Sequence, residues 1–229
     1  MEKHEIEKEI MQDLKIKEKK SKHIFLDRFF IIIVALFIII LLILWLVPFS
    51  NIKVDPNPKK IVKIEELELN FPNSTGLNYS NRNYLLLLDP TNPFIKNTAN
   101  RISILSCPNV NKQEKVCYAK AIYYFVRDNI QYVNDPVSRE YLASVSETLQ
   151  SGAGDCDDHA IALANLLQAI GLETRYVFIP GHVFIQVKLE EALKHYKYDG
   201  DWINLDPTCK SCKFSKISLE SEQARKDYL

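Results

Sequence analysis

The chain has 229 residues, with 29 Lys plus Arg against 29 Asp plus Glu, so its formal net charge is zero. That balance excludes the strongly basic field of a nucleic-acid-binding surface. A hydrophobic share of 47% with only six glycines excludes a disordered chain and leaves room for one ordinary domain plus additions.

Residues 1–23 are charged, with Ile6, Ile10 and Leu14 at i, i+4 spacing, which predicts a short solvated amphipathic helix. Residues 24–48 then contain an unbroken apolar run, Phe29 to Val47. As a helix this run is about 28 Å long, close to the ~30 Å of a bilayer's hydrocarbon core. Trp45 sits near one end, where interfacial aromatics are favoured. Val47-Pro48-Phe49-Ser50 offers no small-x-small cleavage pattern, so an uncleaved signal anchor is expected. Lys15, Lys17, Lys19, Lys20, Lys22 and Arg28 precede the run, whereas Lys53, Lys59, Lys60 and Lys63 follow it. This bias predicts a single-pass protein in the bilayer with its C-terminal domain outside the cytoplasm.

Residues 49–106 read as a linker and a poorly patterned region. Pro48, Pro56 and Pro58 mark extended chain, 61–69 is ambiguous between strand and helix, and 71–100 reads mainly as loop. Tyr84 to Leu88 predicts a short strand.

The pattern sharpens over 107–229. Val116, Ala119, Ile122, Tyr123, Val126 and Ile130 give helical periodicity over 112–131, and Asn134-Asp135-Pro136 stops it. Residues 157–170 are apolar almost all round, as in a core helix, with Gly171 at the position that follows its C-cap. Strands are predicted at 174–179, 182–189 and 202–206. Helices followed by strands predict an α+β domain with an antiparallel sheet.

Asp155 is a suitable N-cap, and Asp158 three residues on completes a capping box, which puts Cys156 in the first helical position. Unpaired N–H groups and the helix dipole there favour a thiolate and can hold an oxyanion. The carboxylates of Asp155, Asp157 and Asp158 oppose that charge, so an imidazolium has to outweigh them. His182 opens one predicted strand and Asp206 closes the next. On adjacent antiparallel strands the two side chains can meet, Asp206 orienting His182 and His182 activating Cys156. Singly, such a Cys packs in a core, such a His is structural and an Asp before Pro is a turn residue. Their combination points to chemistry.

The strings GDCDDHAIALANLLQAIGLETRYVF, GHVFIQV and WINLDPT resemble the transglutaminase-like, papain-related Cys–His–Asp superfamily over roughly residues 112–208. The resemblance implies a fold in which a central helix packs on an antiparallel sheet. It implies Cys156 as nucleophile, His182 as base and Asp206 as third member. SETLQSG upstream fits the same pattern, while Phe184 departs from the Trp often found there. Gln150 stands six residues before Cys156, a spacing that resembles the papain-like oxyanion glutamine as much as it does coincidence. Arg175 matches the family's strand entry, with a structural salt bridge as its plain reading. His159 and His195 carry no assigned role.

Cys107, Cys117, Cys209 and Cys212 remain. Two disulfides allow three connectivities, which the sequence leaves open, and would staple the segment after Asp206 to the core. Cys209 and Cys212 also have local zinc spacing, so a structural zinc held by all four cysteines is the alternative, with free thiols a third. No cofactor is required by the triad chemistry.

These readings converge on a membrane-anchored cysteine-dependent hydrolase or acyl transferase. It would act on an amide of a peptide or protein through a thioester. A triad-bearing fold used only for binding, as a scaffold at the membrane, is the alternative.

Overall fold

A computed structural model of the chain describes residue 11 and residues 28–46, 54–72, 77–78, 84–110, 113–136 and 141–229. The chain divides into two compact units, Met1–Ile52 and Lys53–Leu229. In the first, helix α1 (Arg28–Leu46) has 19 residues and a mean hydropathy of 3.6, with none of its span buried. It is long and apolar enough to cross a membrane. Apart from Met11, the expected helix over 1–23 lies outside the described residues, as do 24–27 and 47–48 of the expected membrane segment.

The second unit has the expected α+β class. Its helices are α2 (Pro93–Ser106), α3 (Glu114–Asn129), α4 (Val145–Ser151), α5 (Cys156–Ala169) and the short α6 (Leu219–Gln223). Two-residue strands β1 (Leu77–Asn78), β2 (Gln131–Tyr132), β3 (Tyr141–Leu142) and β4 (Ala153–Gly154) pair as β1 with β3, antiparallel, and β2 with β4, parallel. The main sheet comprises β5 (Thr174–Ile179), β6 (His182–Lys188), β7 (Trp202–Leu205) and β8 (Asp227–Tyr228), ordered β7-β6-β5-β8 and antiparallel throughout.

α5 is buried along most of its length because Ala160, Ile161, Ala162, Leu163, Ala164, Leu166 and Leu167 leave no polar face. It stops at Ile170 and Gly171, whose φ of +80° is left-handed backbone that suits glycine. Strand alternation puts Val183, Ile185, Val187, Ile203 and Leu205 into the core beside this helix. His182, Phe184, Gln186, Trp202, Asn204 and Asp206 therefore share the opposite face. There Gln186 Nε2 donates to Asn204 Oδ1 at 2.6 Å. Arg175 Nε donates to Gln186 Oε1 at 2.7 Å, and its guanidinium lies 4.2 Å from the Trp202 ring and 4.3 Å from that of Tyr228. The expected salt bridge of Arg175 is thus replaced by an aromatic clamp, which ties edge strand β8 to the sheet.

The expected linker over 49–106 differs from what its described residues do. Val62, Leu67, Tyr84, Ile95, Ala99 and Ile102 belong to the core, and 84–87 is a 3-10 helix rather than a strand. Ile64–Leu67 is also 3-10. Two buried or half-buried amides dock these segments. Asn129 accepts from Ile64 N–H and donates to the Val62 carbonyl, while Asn165 accepts from Asp89 N–H and donates to the Leu87 carbonyl. A third anchor is Lys120, whose side chain is 1% exposed. Its ammonium donates to Asp55 Oδ1 at 2.5 Å and Asn57 Oδ1 at 2.8 Å, beside the rings of Tyr196 and Phe214. The Tyr196 hydroxyl donates to the other Asp55 oxygen at 2.7 Å.

The four cysteines form Cys107–Cys117, which joins the end of α2 to α3, and Cys209–Cys212. Loop closure by the first limits the unfolded chain by about 3 kcal/mol and by the second about 2 kcal/mol. Cys209–Cys212 spans three residues and does not staple its segment to the core as expected. That work falls to hydrogen bonds. Tyr123 Oη and Arg127 donate to the Cys212 carbonyl at 3.2 and 2.6 Å, and Lys210 donates to the carbonyls of Arg127 and Ile130.

Candidate active site

Asp155 caps α5 as the sequence predicts. Its side chain accepts from the N–H groups of Asp157, at 2.9 Å, and Asp158, while Asp158 Oδ2 accepts from Asp155 N–H. Asp158 Oδ1 also accepts from Ala143 N–H at 2.7 Å, which ties the cap to the chain before α4. Cys156 thereby occupies the first turn, half-buried, and is the one free cysteine among the described residues. Burial comes first, and the Asp157 and Asp155 charges second, in pushing its thiol up to about 12; a hydrogen bond from Val183 N–H works the other way. The thiol lies 3.6 Å from Asp157 Oδ1. Burial likewise raises the carboxyls of Asp155, to about 6, and Asp158, to about 7.

The β6–β7 register, with Ile185 opposite Leu205, makes His182 and Asp206 diagonal neighbours on one sheet face. His182 Nε2 lies 3.0 Å from Asp206 Oδ2, and the Asp206 side chain is 3% exposed against 21% for His182. Burial favours the protonated acid. Hydrogen bonding and charge from His182 and two hydrogen bonds from Thr208 outweigh it, holding the Asp206 carboxyl below its usual range. Thr208 N–H and Oγ1–H reach Asp206 Oδ1 at 3.1 and 2.7 Å. Asp206 is therefore an acceptor that fixes the ring with Nε2–H donating, which leaves Nδ1 as the basic nitrogen. Because Val183 N–H touches the Cys156 sulfur, one strand start serves both the imidazole and the thiol.

A cavity of about 500 Å³ adjoins this pair, lined by Pro180, Thr208, Cys209, Ser221 and Ala224 as well as by His182 and Asp206. Gln150 is exposed near the end of α4. The residue missed in the sequence is Tyr132. Its side chain hydrogen-bonds Cys156, and burial, then the charges of Cys156 and Asp155, raise its hydroxyl to about 12. It arrives there because β2 pairs with β4, Tyr132 opposite Gly154. Its only sequence signal is the β-prone Tyr132-Val133 pair just before the Asn134-Asp135-Pro136 stop. His159, also unassigned, is wholly buried, with Nδ1 2.7 Å from the Asp155 carbonyl and Nε2 3.2 Å from that of Ile130. Burial lowers its pKa, favouring the neutral ring.

Asp155, Cys156 and Asp157 offer ligand atoms within 4.8 Å of one another. Those of Asp155 and Asp157 are engaged in the cap and by the thiol. The expected zinc alternative needs thiolates, and the sulfurs of Cys107, Cys117, Cys209 and Cys212 are joined in disulfides.

Gly154 lets the chain pass the cap. A Cβ there would stand 2.7 Å from Asp158 Cβ and 2.8 Å from Asp158 Oδ2. Gly154→Ala is expected to destabilise by about 2 kcal/mol through overpacking, visible as a lower urea midpoint with an unchanged m-value.

Residues 107–207 match the transglutaminase-like superfamily. Among solved structures, calcium-bound LapG of Legionella pneumophila is 16% identical with a TM-score of 0.39, the match covering 72% of this chain and 82% of that one. A provisionally assigned protease of Parabacteroides distasonis is 14% identical with a TM-score of 0.36; the match covers 48% of this chain and only 22% of that protein's length. A provisionally assigned cysteine protease of Cytophaga hutchinsonii is 19% identical with a TM-score of 0.34, covering 56% and 43%. No curated protein matches the chain.

Proposed function

We propose that the transglutaminase-like domain is a cysteine-dependent acyl-transfer enzyme acting on an amide of a peptide or protein, with Cys156 as nucleophile, His182 as base and Asp206 as its orienting acid. The observation that carries this reading is the His182 Nε2–Asp206 Oδ2 contact of 3.0 Å, formed beside the strand N–H that touches the Cys156 sulfur. In the first step the thiol proton passes to His182 Nδ1 and sulfur attacks the carbonyl carbon. The oxyanion forms at the N-terminus of α5, where a first-turn N–H such as that of Cys156 has no intrahelical partner. Collapse breaks the C–N bond, and the imidazolium returns its proton to the leaving amine. Water then hydrolyses the thioester, or a second amine takes the acyl group. Hydrolysis is the simpler outcome.

The reading includes a single-pass, uncleaved anchor through residues 24–48, with the domain outside the cytoplasm. The apolar α1 supports the anchor, and two disulfides suit an oxidising compartment. The test is to mix the full chain in detergent micelles with a peptide library, quench in acid and measure intact mass. An acyl adduct on the Cys156 peptide, absent in Cys156→Ser, is expected; added alkylamine shows whether the acyl group goes to amine or water. Absence of both adduct and product would reject the enzyme in favour of a binding module.

A further inference from the structure

The two disulfides differ in a way that bears on the site. Cys107 and Cys117 are buried, at 3% and 0% exposure, inside the core. Cys209 and Cys212 are half-exposed, and Cys209 lines the same cavity as His182 and Asp206. A loop this short gains least from chain-entropy stabilisation, so its closure is of most consequence locally. What it closes is the turn that directly follows Asp206 and Thr208 in the chain. Thr208, next to Cys209, makes both remaining hydrogen bonds to the Asp206 carboxylate. The Tyr123 hydroxyl reaches the carbonyls of Asp206, at 3.3 Å, and Cys212, at 3.2 Å, so one side chain spans both ends of the segment. Lys210, inside the loop, donates to the Ile130 carbonyl, which also meets His159; His159 in turn touches the carbonyl of Asp155, the cap beside Cys156. The loop therefore borders both the acid and, through three contacts in series, the nucleophile's helix start.

We infer that Cys209–Cys212 is a reducible positioning element for Asp206, and that its reduction by a dithiol lowers the reactivity of Cys156. The inference rests on the proposed triad. Two electrons and two protons move: the dithiol is oxidised to its cyclic disulfide, and Cys209 and Cys212 become thiols. Opening the S–S bond lets Thr208 leave the Asp206 carboxylate, so the ring of His182 loses the partner that fixes its tautomer and orientation.

The experiment uses the full chain in micelles, iodoacetamide as probe and peptide mass spectrometry to follow alkylation of Cys156 between pH 6 and 10 (roughly the span in which thiols titrate). The oxidised protein, the same protein treated with dithiothreitol and then freed of it, and Cys209→Ser/Cys212→Ser are compared. Reduction is expected to slow Cys156 alkylation near neutral pH by about 10- to 100-fold, with the pH profile shifted to higher pH. Reoxidation restores the rate. The double variant behaves as the reduced protein whether or not dithiothreitol has been used, and keeps the test independent of any opening of Cys107–Cys117. Equal rates and profiles for the oxidised protein and the double variant would overturn the inference. His182→Ala in the oxidised protein separates the two levels. If it slows alkylation while the double variant does not, the triad stands and the redox control falls; if it changes nothing, both fall.

Discussion

His182→Ala is expected to slow alkylation of Cys156 by iodoacetamide at neutral pH by roughly 100-fold or more, the usual share of a positioned base. The reason is the hostile setting of the sulfur. With burial and the Asp157 and Asp155 charges pushing its thiol up to about 12, the free-standing thiolate at pH 7 is on the order of one molecule in 100,000. The hydrogen bond from Val183 N–H does not offset this. Only transfer of the proton to His182 supplies thiolate near neutrality. The sign follows directly. A raised thiol pKa delays ionisation, so the variant's rate should climb about tenfold per pH unit to pH 10 and beyond. The wild-type rate should climb less steeply, because proton transfer within the pair replaces loss to solvent. Superimposable pH profiles for the two proteins would remove His182 from the chemistry.

Asp55→Ala is expected to cost about 3 kcal/mol of stability, because it strands the Lys120 ammonium in the core. Asn57 and Tyr196 can still accept, but neither carries charge, and the Asp55 side chain is only 29% exposed. The comparison that isolates the mechanism is Asp55→Ala/Lys120→Met. Removing the charge together with its partner should recover most of the loss, since a buried ion pair and an apolar substitute are often close in free energy. Urea midpoints of the single and double variants decide it. A double variant no more stable than Asp55→Ala would mean that the segment's docking, not the stranded charge, carries the effect.

Much of this architecture is legible without coordinates, and the parts that are not share a cause. The start of α5 is written locally, with Asp155 and Asp158 bonding within three residues, and Gly171 marks the end by backbone conformation alone. Strands 174–179, 182–188 and 202–205 fall close to where hydrophobic runs place them, and their adjacency brings His182 to Asp206. What escapes is held by long-range polar contacts that leave no periodicity. Asn165 bonds chain 76 and 78 residues away, and Lys120 reaches back 65 residues to Asp55, so a proline-marked stretch that reads as linker is docked structure. Tyr132 is hidden for a similar reason: a two-residue strand is too short to announce itself, and its partner is fixed only by the fold. The cysteine pairing is open in the sequence because three connectivities satisfy the same spacing, and one of the pairs adopted closes a turn rather than bridging to the core.

Lys120 also makes the domain self-reporting. Amine acylation requires an accessible, neutral nitrogen, and this ammonium has neither access nor freedom while Asp55 and Asn57 cover it. The exposed lysines would react at once and serve as an internal clock. Delayed modification of Lys120 would then measure how often the segment from Asp55 lifts away, a local opening distinct from global unfolding. Slow acylation that tracks denaturant weakly would describe a hinged edge; acylation that tracks it as steeply as the whole domain would describe a segment that leaves only when everything does.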